Sequence, residues 1–255
     1  MSGGHPAEPT PERVAELAER LAAVRERIAA ACRAAGRDPG EVALLAVTKT
    51  APASDVAALL DLGQTAFGEN RVQEAGVKVA EVAGLRSGLG PDARPRWHLI
   101  GGLQRNKARA AARWADRVES IDSIRLATSL DDAARRLLDT GERAGPLPVL
   151  LQFSVDGDPR RGGVAESDLL SLAEHVARCA GLRLDGVMAV APLGMDHDVA
   201  FAAIAAAADR VREQFPQASV LSAGMSGDLE AAIGHGSDVV RVGTALVGER
   251  PLASR

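Results

Sequence analysis

The chain has 255 residues, of which 46% are hydrophobic and 25% are charged, and its formal net charge is −4. This length allows one large globular domain or two small ones, and the acidic balance gives no reason to expect nucleic acid or an anionic membrane as a partner. No apolar run approaches the roughly 20 residues that span a bilayer, and the N-terminus lacks the basic and apolar regions of a secretory signal.

The chain has two cysteines, Cys32 and Cys179. Their spacing fits neither a disulfide framework nor a set of metal ligands. We interpret both as small buried or half-buried thiols in a reducing compartment, and we predict no metal site.

The N-terminal residues 1–9 are mainly Gly, Pro and polar side chains, so we predict a disordered tail there and a single domain over residues 10–255. Thr10 followed by Pro11 is typical of a helix start, with threonine as the N-cap. Apolar residues then recur at alternating steps of three and four, which predicts one helix with a single buried face, ending near Gly36. The stripe consists of Val14, Leu17, Leu21, Val24 and Ile28.

After Gly40, short β-like runs alternate with helical patterns. Several runs are apolar without alternation, which is typical of strands buried on both faces of a parallel sheet. We predict eight strands, at 42–48, 65–67, 97–100, 117–121, 149–155, 185–191, 219–223 and 238–242. Eight strand–helix units favour an α/β fold, a (β/α)8 TIM barrel with an extra N-terminal helix. The alternative, an open doubly wound sheet, is disfavoured because no G-x-G-x-x-G motif follows the first strand.

Helix boundaries are predicted from capping residues. Ser54 is placed to cap the helix that ends at Gly63, and Asn70 with Gln73 has the spacing of a capping box for the next helix. The stretch 84–96 is rich in Gly, Pro and Arg, and we interpret it as a surface loop within the domain.

Lys49 follows the apolar run of the first predicted strand, in the stretch LLAVTKT. Active sites of (β/α)8 barrels lie at the C-terminal ends of the strands. A lysine in a partly dry pocket has a lowered pKa and can form a Schiff base with an aldehyde or ketone. The alternative is an ordinary lysine that extends into solvent from a strand end.

Small residues follow the last two predicted strands and lead directly into helices. They are Gly224, Ser226 and Gly227 after the seventh strand, and Gly243 and Thr244 after the eighth. N–H groups at a helix start bind phosphate, and barrels commonly hold one after strands 7 and 8, although each turn alone is compatible with ordinary loop structure. A lysine and a phosphate site at the same end suggest pyridoxal 5′-phosphate (PLP), or a ketose phosphate in a Schiff-base aldolase.

Three other polar residues lie in or just after predicted strands. Arg241 could keep the pyridine nitrogen of the cofactor unprotonated, contact its phosphate, or pair with a neighbouring acid for structural reasons. Asn70 could donate to the phenolic oxygen of the cofactor, cap a helix, or do both. His98 is interpreted as a hydrogen-bonded core residue in preference to a catalytic one.

A basic cluster follows the third predicted strand. We interpret it as a solvated helix face, with an anion-attracting rim as the alternative and nucleic acid as a weaker one because the chain is acidic. The cluster consists of Arg105, Lys107, Arg109 and Arg113.

Five segments in chain order resemble the pyridoxal phosphate homeostasis proteins, which are single-domain relatives of the alanine racemase barrel. The segments are distributed over nearly all of residues 42–250, and their combination is far more specific than any one of them. They are LLAVTKT, FGENRVQEA, WHLIGGLQRNKAR, GVMAVAP and LSAGMSGDLEAAIGHGSDVVRVGTALVG.

The resemblance implies PLP bound to Lys49 as a Schiff base, with phosphate contacts from three residues and three others lining the site. The phosphate contacts are Ser226, Gly243 and Thr244, and the lining residues are Asn70, Met225 and Arg241. The resemblance also implies a cytoplasmic protein without established turnover, which binds, buffers or delivers PLP and so balances vitamin B6 and amino-acid pools.

One segment departs from the family pattern, in which an Asn precedes Gly-Glu-x-x-Lys-x-Gly. This chain has Ser154 and then GDPRRGG, so that Asp158 and Arg161 replace the acid and the lysine with the same charges. The role of the loop from Ser154 to Gly163 is left open.

Enzymes that resemble alanine racemase use two opposed bases, the cofactor lysine and a tyrosine from a separate C-terminal domain. This chain contains no tyrosine and ends at Arg255, so we expect that this two-base route cannot operate, whereas a one-base reaction at Lys49 stays open. We favour a PLP-binding regulatory or carrier protein over a PLP enzyme with weak or narrow racemase-like activity, and both over the aldolase. We expect a monomer, with apo forms of PLP enzymes as candidate recipients.

Overall fold

The structure is a computed structural model that describes residues 8–90 and 93–248. Eight parallel strands hydrogen-bond in chain order and close into a barrel, in which the first strand also pairs with the last. They are Ala43–Val47 (β1), Ala66–Glu69 (β2), Arg96–Leu99 (β3), Arg117–Ile121 (β4), Leu147–Phe153 (β5), Leu182–Ala189 (β6), Val220–Ser222 (β7) and Val239–Val242 (β8). The predicted (β/α)8 barrel is confirmed, with every strand within a few residues of its predicted bounds.

The helices follow the alternation that the sequence predicts, with one helix ahead of the barrel and one after each strand. They are Pro11–Ala34 (α1), Ala53–Asp61 (α2), Val72–Leu85 (α3), Ala108–Trp114 (α4), Ile124–Asp139 (α5), Glu166–Ala177 (α6), His197–Gln214 (α7), Leu229–Gly234 (α8) and Thr244–Val247 (α9). Short 3₁₀ turns occur at Pro39–Glu41 and Arg105–Lys107.

Helix α1 is the predicted extra helix. The Thr10 hydroxyl accepts a hydrogen bond from the Arg13 backbone N–H, which caps its first turn. Gly36 adopts the left-handed backbone conformation just after its end, as a helix stop requires. Its buried face packs on α2, α8 and α9, so the helix covers the join between β8 and β1. That face includes Leu17, Leu21, Val24 and Ile28.

Two predicted helix caps are wrong. Helix α2 begins after Pro52, which leaves Ser54 inside its first turn, and α3 begins after Arg71 without a side-chain cap. Asn70 lies one residue before the N-cap of α3, and its backbone packs directly against Gly101 at the end of the neighbouring strand. A β-carbon at Gly101 would collide with the Asn70 carbonyl oxygen. The side chain of Asn70 therefore makes no cap hydrogen bond to α3.

The apolar core lies between the barrel and its surrounding helices, whereas part of the barrel interior is polar. Successive side chains of a strand point to opposite faces, so a residue flanked by outward-facing core residues points inward. Four polar residues are placed in this way: His98, Glu119, Ser222 and Arg241. Their flanking core residues include Trp97, Leu99, Val118, Leu221, Val240 and Val242.

The structure covers the predicted tail and the predicted domain only in part. Most of the predicted tail at 1–9 and residues 249–255 of the predicted domain lie outside the described residues. Within residues 8–90 and 93–248, no helix is long and apolar enough to cross a bilayer, and no cluster of His, Cys, Asp or Glu could hold a metal ion. Cys32 is buried and Cys179 is half-buried, and both are free thiols.

Candidate functional site

A cavity of about 490 Å³ opens at the C-terminal ends of the strands. Every residue of the site that the sequence predicts lines this one cavity, although the residues come from four separate parts of the chain. They are Lys49, Asn70, Met225, Ser226, Arg241, Gly243 and Thr244. The apolar part of the wall is formed by Val47, Ile100, Met188, Val190 and Val247.

Lys49 lies in the turn after β1, and its side chain is exposed at the open end of the cavity. It is therefore more accessible to solvent than the partly dry pocket that the sequence analysis anticipated. Within the described residues, Lys49 has neither an ion pair nor a side-chain hydrogen bond. The chain has three lysines, and only this one lines the cavity.

A buried cluster fixes the backbone immediately before Lys49. Lys78 of α3 donates to the Thr48 carbonyl oxygen and to Glu69 Oε1, both at 2.7 Å. The Thr48 hydroxyl donates to the same Glu69 oxygen at 2.8 Å. Thr48 and Glu69 are almost completely buried, so these charge-assisted bonds are shielded from water and hold the end of β1 rigidly.

The turn between β7 and α8 forms one side of the cavity. Gly224 has a φ of +92°, and a β-carbon there would collide with Ala232, so the chain needs glycine at this bend. Asp228 closes the turn by accepting a hydrogen bond from the Met225 backbone N–H at 2.5 Å. Ser226, at the crest of the turn, is half-buried and lines the cavity.

The turn between β8 and α9 forms the adjoining side. A β-carbon at Gly243 would lie only 3.3 Å from the Val47 backbone oxygen. Because glycine lacks this atom, the chain after β8 can pass close to the end of β1. Thr244 is the first residue of α9 and is exposed at the cavity. The first N–H groups of a helix have no acceptor within the helix, so this turn presents donors to whatever occupies the cavity.

Arg241 reaches the floor of the cavity from the barrel interior and is only 4% exposed. Its Nη1 donates to the Ser222 carbonyl oxygen at 2.6 Å and to the Ser222 hydroxyl at 2.9 Å, and its Nη2 donates to the Ala189 carbonyl oxygen at 2.7 Å. Burial lowers the pKa of Arg241, an effect that the charges of Glu119 and Asp228 oppose. No carboxylate of the described residues pairs with Arg241 directly, so structural ion pairing does not explain it.

His98 is a hydrogen-bonded core residue, as predicted. Its Nδ1 lies 2.6 Å from Oε1 of the fully buried Glu119. His98 borders a separate cavity of about 240 Å³ at the opposite end of the barrel, together with Arg96 and Arg117, so it does not line the site.

The loop at 154–163 contacts the cavity wall through one residue. Arg161 donates to the Val190 carbonyl oxygen at 2.7 Å and forms an ion pair with Asp156. Asp158 pairs with Arg160 instead. The loop is thus linked to the wall that Val190 provides.

The predicted basic cluster lies on the 3₁₀ turn at Arg105–Lys107 and on α4. Among the described residues none of its side chains has an ion pair, and the three arginines are exposed. This agrees with the interpretation as a solvated face.

Comparison with known proteins identifies the family. A family model described as "Alanine racemase, N-terminal domain" matches residues 20–251. The pyridoxal phosphate homeostasis protein of Mycobacterium bovis is 47% identical over 249 residues and covers 96% of each chain. The chain belongs to the pyridoxal phosphate homeostasis protein family. The member from Escherichia coli is 39% identical over 244 residues, which cover 94% of this chain and 99% of the relative.

Family membership confirms the resemblance carried by the five sequence segments. Among solved structures, PipY of Synechococcus elongatus with PLP bound has a TM-score of 0.75 and 35% identity, covering 91% of this chain and 100% of PipY. The closed barrel of the family is therefore shared along nearly the whole of this chain.

Several polar residues close to the cavity of this family member were not predicted from the sequence. Lys78 could have been identified from the sequence, because a lysine there interrupts the apolar stripe of α3, three residues after Ala75 and four before Val82. Glu119 had a weaker signal, as an acidic residue at the centre of the predicted strand RVESI. Nothing in the local pattern indicated which residue each of them contacts.

Proposed function

We propose that this protein binds PLP as a Schiff base on Lys49 and acts in intracellular PLP homeostasis and amino-acid balance in the cytoplasm, without catalytic turnover. The observation that carries the proposal is the convergence of an unpaired lysine, two donor-bearing turns and a buried arginine on one cavity. A PLP-bound relative with the same fold, PipY, supports the choice of ligand.

The residues present fit this cofactor. The cavity of about 490 Å³ falls within the usual size range of sites for small ligands, roughly 300–1,000 Å³. Its apolar wall suits an aromatic ring, and its hydrogen-bond donors suit an anionic phosphate. When bound, PLP supplies an aldehyde that condenses with amines and a ring that withdraws electrons.

Each residue has one role in the proposal. Lys49 supplies the amine, and Ser226, Gly243 and Thr244 hold the phosphate through their N–H and hydroxyl groups. Arg241 faces the pyridine nitrogen and keeps it unprotonated, because arginine only donates. Asn70 donates to the phenolic oxygen, and Met225 covers the ring at the open side.

The composition of the cavity wall favours binding over catalysis. Among the described lining residues, Lys49 and Arg241 are the only ones with ionisable side chains. Racemisation by two bases needs a second proton carrier on the other face of the substrate, and the wall offers none. Because Lys49 is exposed, a PLP aldehyde carbon bonded to it would be accessible to an incoming amine. Release of PLP to an apo-enzyme requires this access.

The test is an absorption spectrum of the purified protein with PLP, followed by borohydride reduction and peptide mapping. We expect a visible band and a reduced label on Lys49, both lost in Lys49→Ala and both retained in the surface control Lys107→Ala. A label on Lys107 or the absence of a band would refute the proposal. Labelling by borohydride only in the presence of a ketose phosphate would favour the aldolase.

A second experiment separates a carrier from an enzyme. The PLP-loaded protein is mixed with the apo form of a PLP enzyme, and the recovered activity is compared with that after adding the same amount of free PLP. In parallel, exchange of the α-proton of free amino acids is followed in heavy water. Transfer without sustained exchange supports the carrier, whereas steady exchange that requires Lys49 would show that the protein is an enzyme.

A further inference from the structure

A continuous hydrogen-bonded chain crosses the interior of the barrel from β3 to β8. It begins at His98 Nδ1, which is 2.6 Å from Glu119 Oε1, and continues from Glu119 Oε2 to the Ser222 hydroxyl at 2.6 Å. It ends at Arg241 Nη1, which is 2.9 Å from the same hydroxyl. Glu119 and Ser222 are fully buried. The chain therefore connects the floor of the cofactor cavity with the opposite end of the barrel.

The chemistry of the groups fixes the direction of every bond. Arginine only donates, so the Ser222 hydroxyl accepts from Arg241 and must direct its own proton to Glu119. An ionised carboxylate only accepts, so His98 Nδ1 carries a proton that it donates to Glu119. Donors from both ends of the chain thus converge on Glu119.

The charge state of Glu119 agrees with this direction. Burial alone raises the pKa of Glu119, but the hydrogen bond from His98, together with Arg241 and the Ser222 hydroxyl, lowers the pKa below its ordinary value of 4.5. The carboxylate therefore stays ionised and partly balances the buried guanidinium through Ser222. Asp228 is the other acid that acts on Arg241.

The hydrogen-bonded chain also determines which N–H bonds of the Arg241 guanidinium have no acceptor. A guanidinium has five N–H bonds, and the bonds to Ser222 and Ala189 use three of them. The Nε–H and the second Nη2–H have no acceptor among the described residues, and Arg241 lines the cavity. Their direction depends on Nη1 staying on the Ser222 hydroxyl, which in turn is oriented by Glu119.

We propose that Glu119, assisted by His98 and Ser222, is a positioning residue that sets the orientation of Arg241 towards the ring nitrogen of the bound cofactor. This inference rests on the proposed function, because it concerns the same cavity. It adds three residues that do not line the cavity and that act only through Arg241.

The first test compares the variants Glu119→Gln and Arg241→Gln with the control Ser120→Ala. Ser120 is the next residue of β4, is buried, and has a hydroxyl without a partner among the described residues. We expect Glu119→Gln to shift the visible band of bound PLP in the same direction as Arg241→Gln and to weaken PLP binding about tenfold, the effect of one charge-assisted hydrogen bond. Ser120→Ala should leave both unchanged.

The second test needs no cofactor, because it reads the histidine tautomer by ¹⁵N NMR, with His98→Gln used for assignment. In the unmodified protein we expect a proton on His98 Nδ1. In Glu119→Gln the amide oxygen still accepts from Ser222, so the amide nitrogen faces His98 and the ring proton should move to Nε2. A proton that stays on His98 Nδ1 in Glu119→Gln would overturn the inferred directions of the hydrogen bonds.

The outcomes separate this inference from the proposed function. If the unmodified protein fails to bind PLP, the proposed function falls and this inference falls with it. If the protein binds PLP but Glu119→Gln has an unchanged spectrum and affinity, only the positioning role is refuted. Should Glu119→Gln fail to fold, Ser222→Ala interrupts the chain by removing one hydroxyl, and the same spectral shift is expected.

Discussion

Replacing Lys78 with methionine tests the cluster that holds the end of β1. The Lys78 ammonium donates at 2.7 Å to both the Glu69 carboxylate and the Thr48 carbonyl oxygen. Methionine keeps the length of the side chain but removes the charge and all three N–H donors. Glu69, which is 2% exposed, would then be a buried carboxylate without a cation.

The expected loss of stability follows from that geometry. Removing one partner of a buried ion pair costs about 3–5 kcal/mol, because the other charge stays buried without compensation. This is a large part of the roughly 5–15 kcal/mol that holds a typical domain folded. For a domain of this size, the midpoint of thermal unfolding should fall by roughly 6–20 °C.

The assay is thermal and urea unfolding of Lys78→Met. The matched control is Lys107→Met, which changes a half-buried lysine without an ion pair among the described residues and is expected to lie within about 0.5 kcal/mol of the unmodified protein. The double variant with Glu69→Gln removes both charges and should recover part of the loss. A loss below about 1 kcal/mol in Lys78→Met, or a double variant no better than the single one, would show that the pair is not the constraint we infer.

Three other outcomes follow from the described contacts. Gly101→Ala should lower the free energy of unfolding in urea by about 1–3 kcal/mol and weaken PLP binding, because the added β-carbon displaces Asn70. The control Gly102→Ala has open space around it and should change neither quantity. Equal effects of the two variants would refute the packing argument. Burial raises the pKa of Asp185, but hydrogen bonds from Arg183 and Arg117 lower it by more, below its ordinary value of 3.8. Its stabilisation is therefore complete above about pH 4 and lost on acidification below that, and Asp185→Asn should flatten the dependence of melting temperature on pH in that range. Burial raises the pKa of the Cys179 thiol to about 11, so a thiol reagent at pH 7–8 should label Cys179 only after unfolding, and rapid labelling of the native protein would contradict this.

The parts of the site that lie in one local stretch could be predicted from the sequence. Lys49 comes directly after an apolar strand, and the turns at Ser226 and Thr244 come directly after strands 7 and 8, so barrel topology alone brings them to one end. The exposure of Lys49 agrees with the alternative that the sequence left open, a lysine that extends into solvent from a strand end. The sequence could not decide between this and a partly dry pocket, because the exposure depends on how far the surrounding loops extend over the cavity.

The contacts that cross between strands could not be predicted. The bonds that join Glu119 to Ser222, and Lys78 to Thr48, depend on the register and tilt of strands far apart in sequence. The local capping pattern also failed at Asn70, because α3 begins one residue later than the pattern predicts. The close packing of the Asn70 backbone on Gly101 joins two strand ends and has no signature in either local stretch.

The pairing of β1 with β8, covered by α1, has a consequence for synthesis on the ribosome. The free edge of β1 finds its final neighbour only after residue 239 has been made, although β1 itself is complete at residue 47. At the usual 5–20 residues per second, that interval is about 10–40 s. Throughout it the nascent chain carries an open strand edge and the apolar stripe of α1 without their partners from the end of the chain, which makes this stage the one most exposed to aggregation and most suited to chaperone binding.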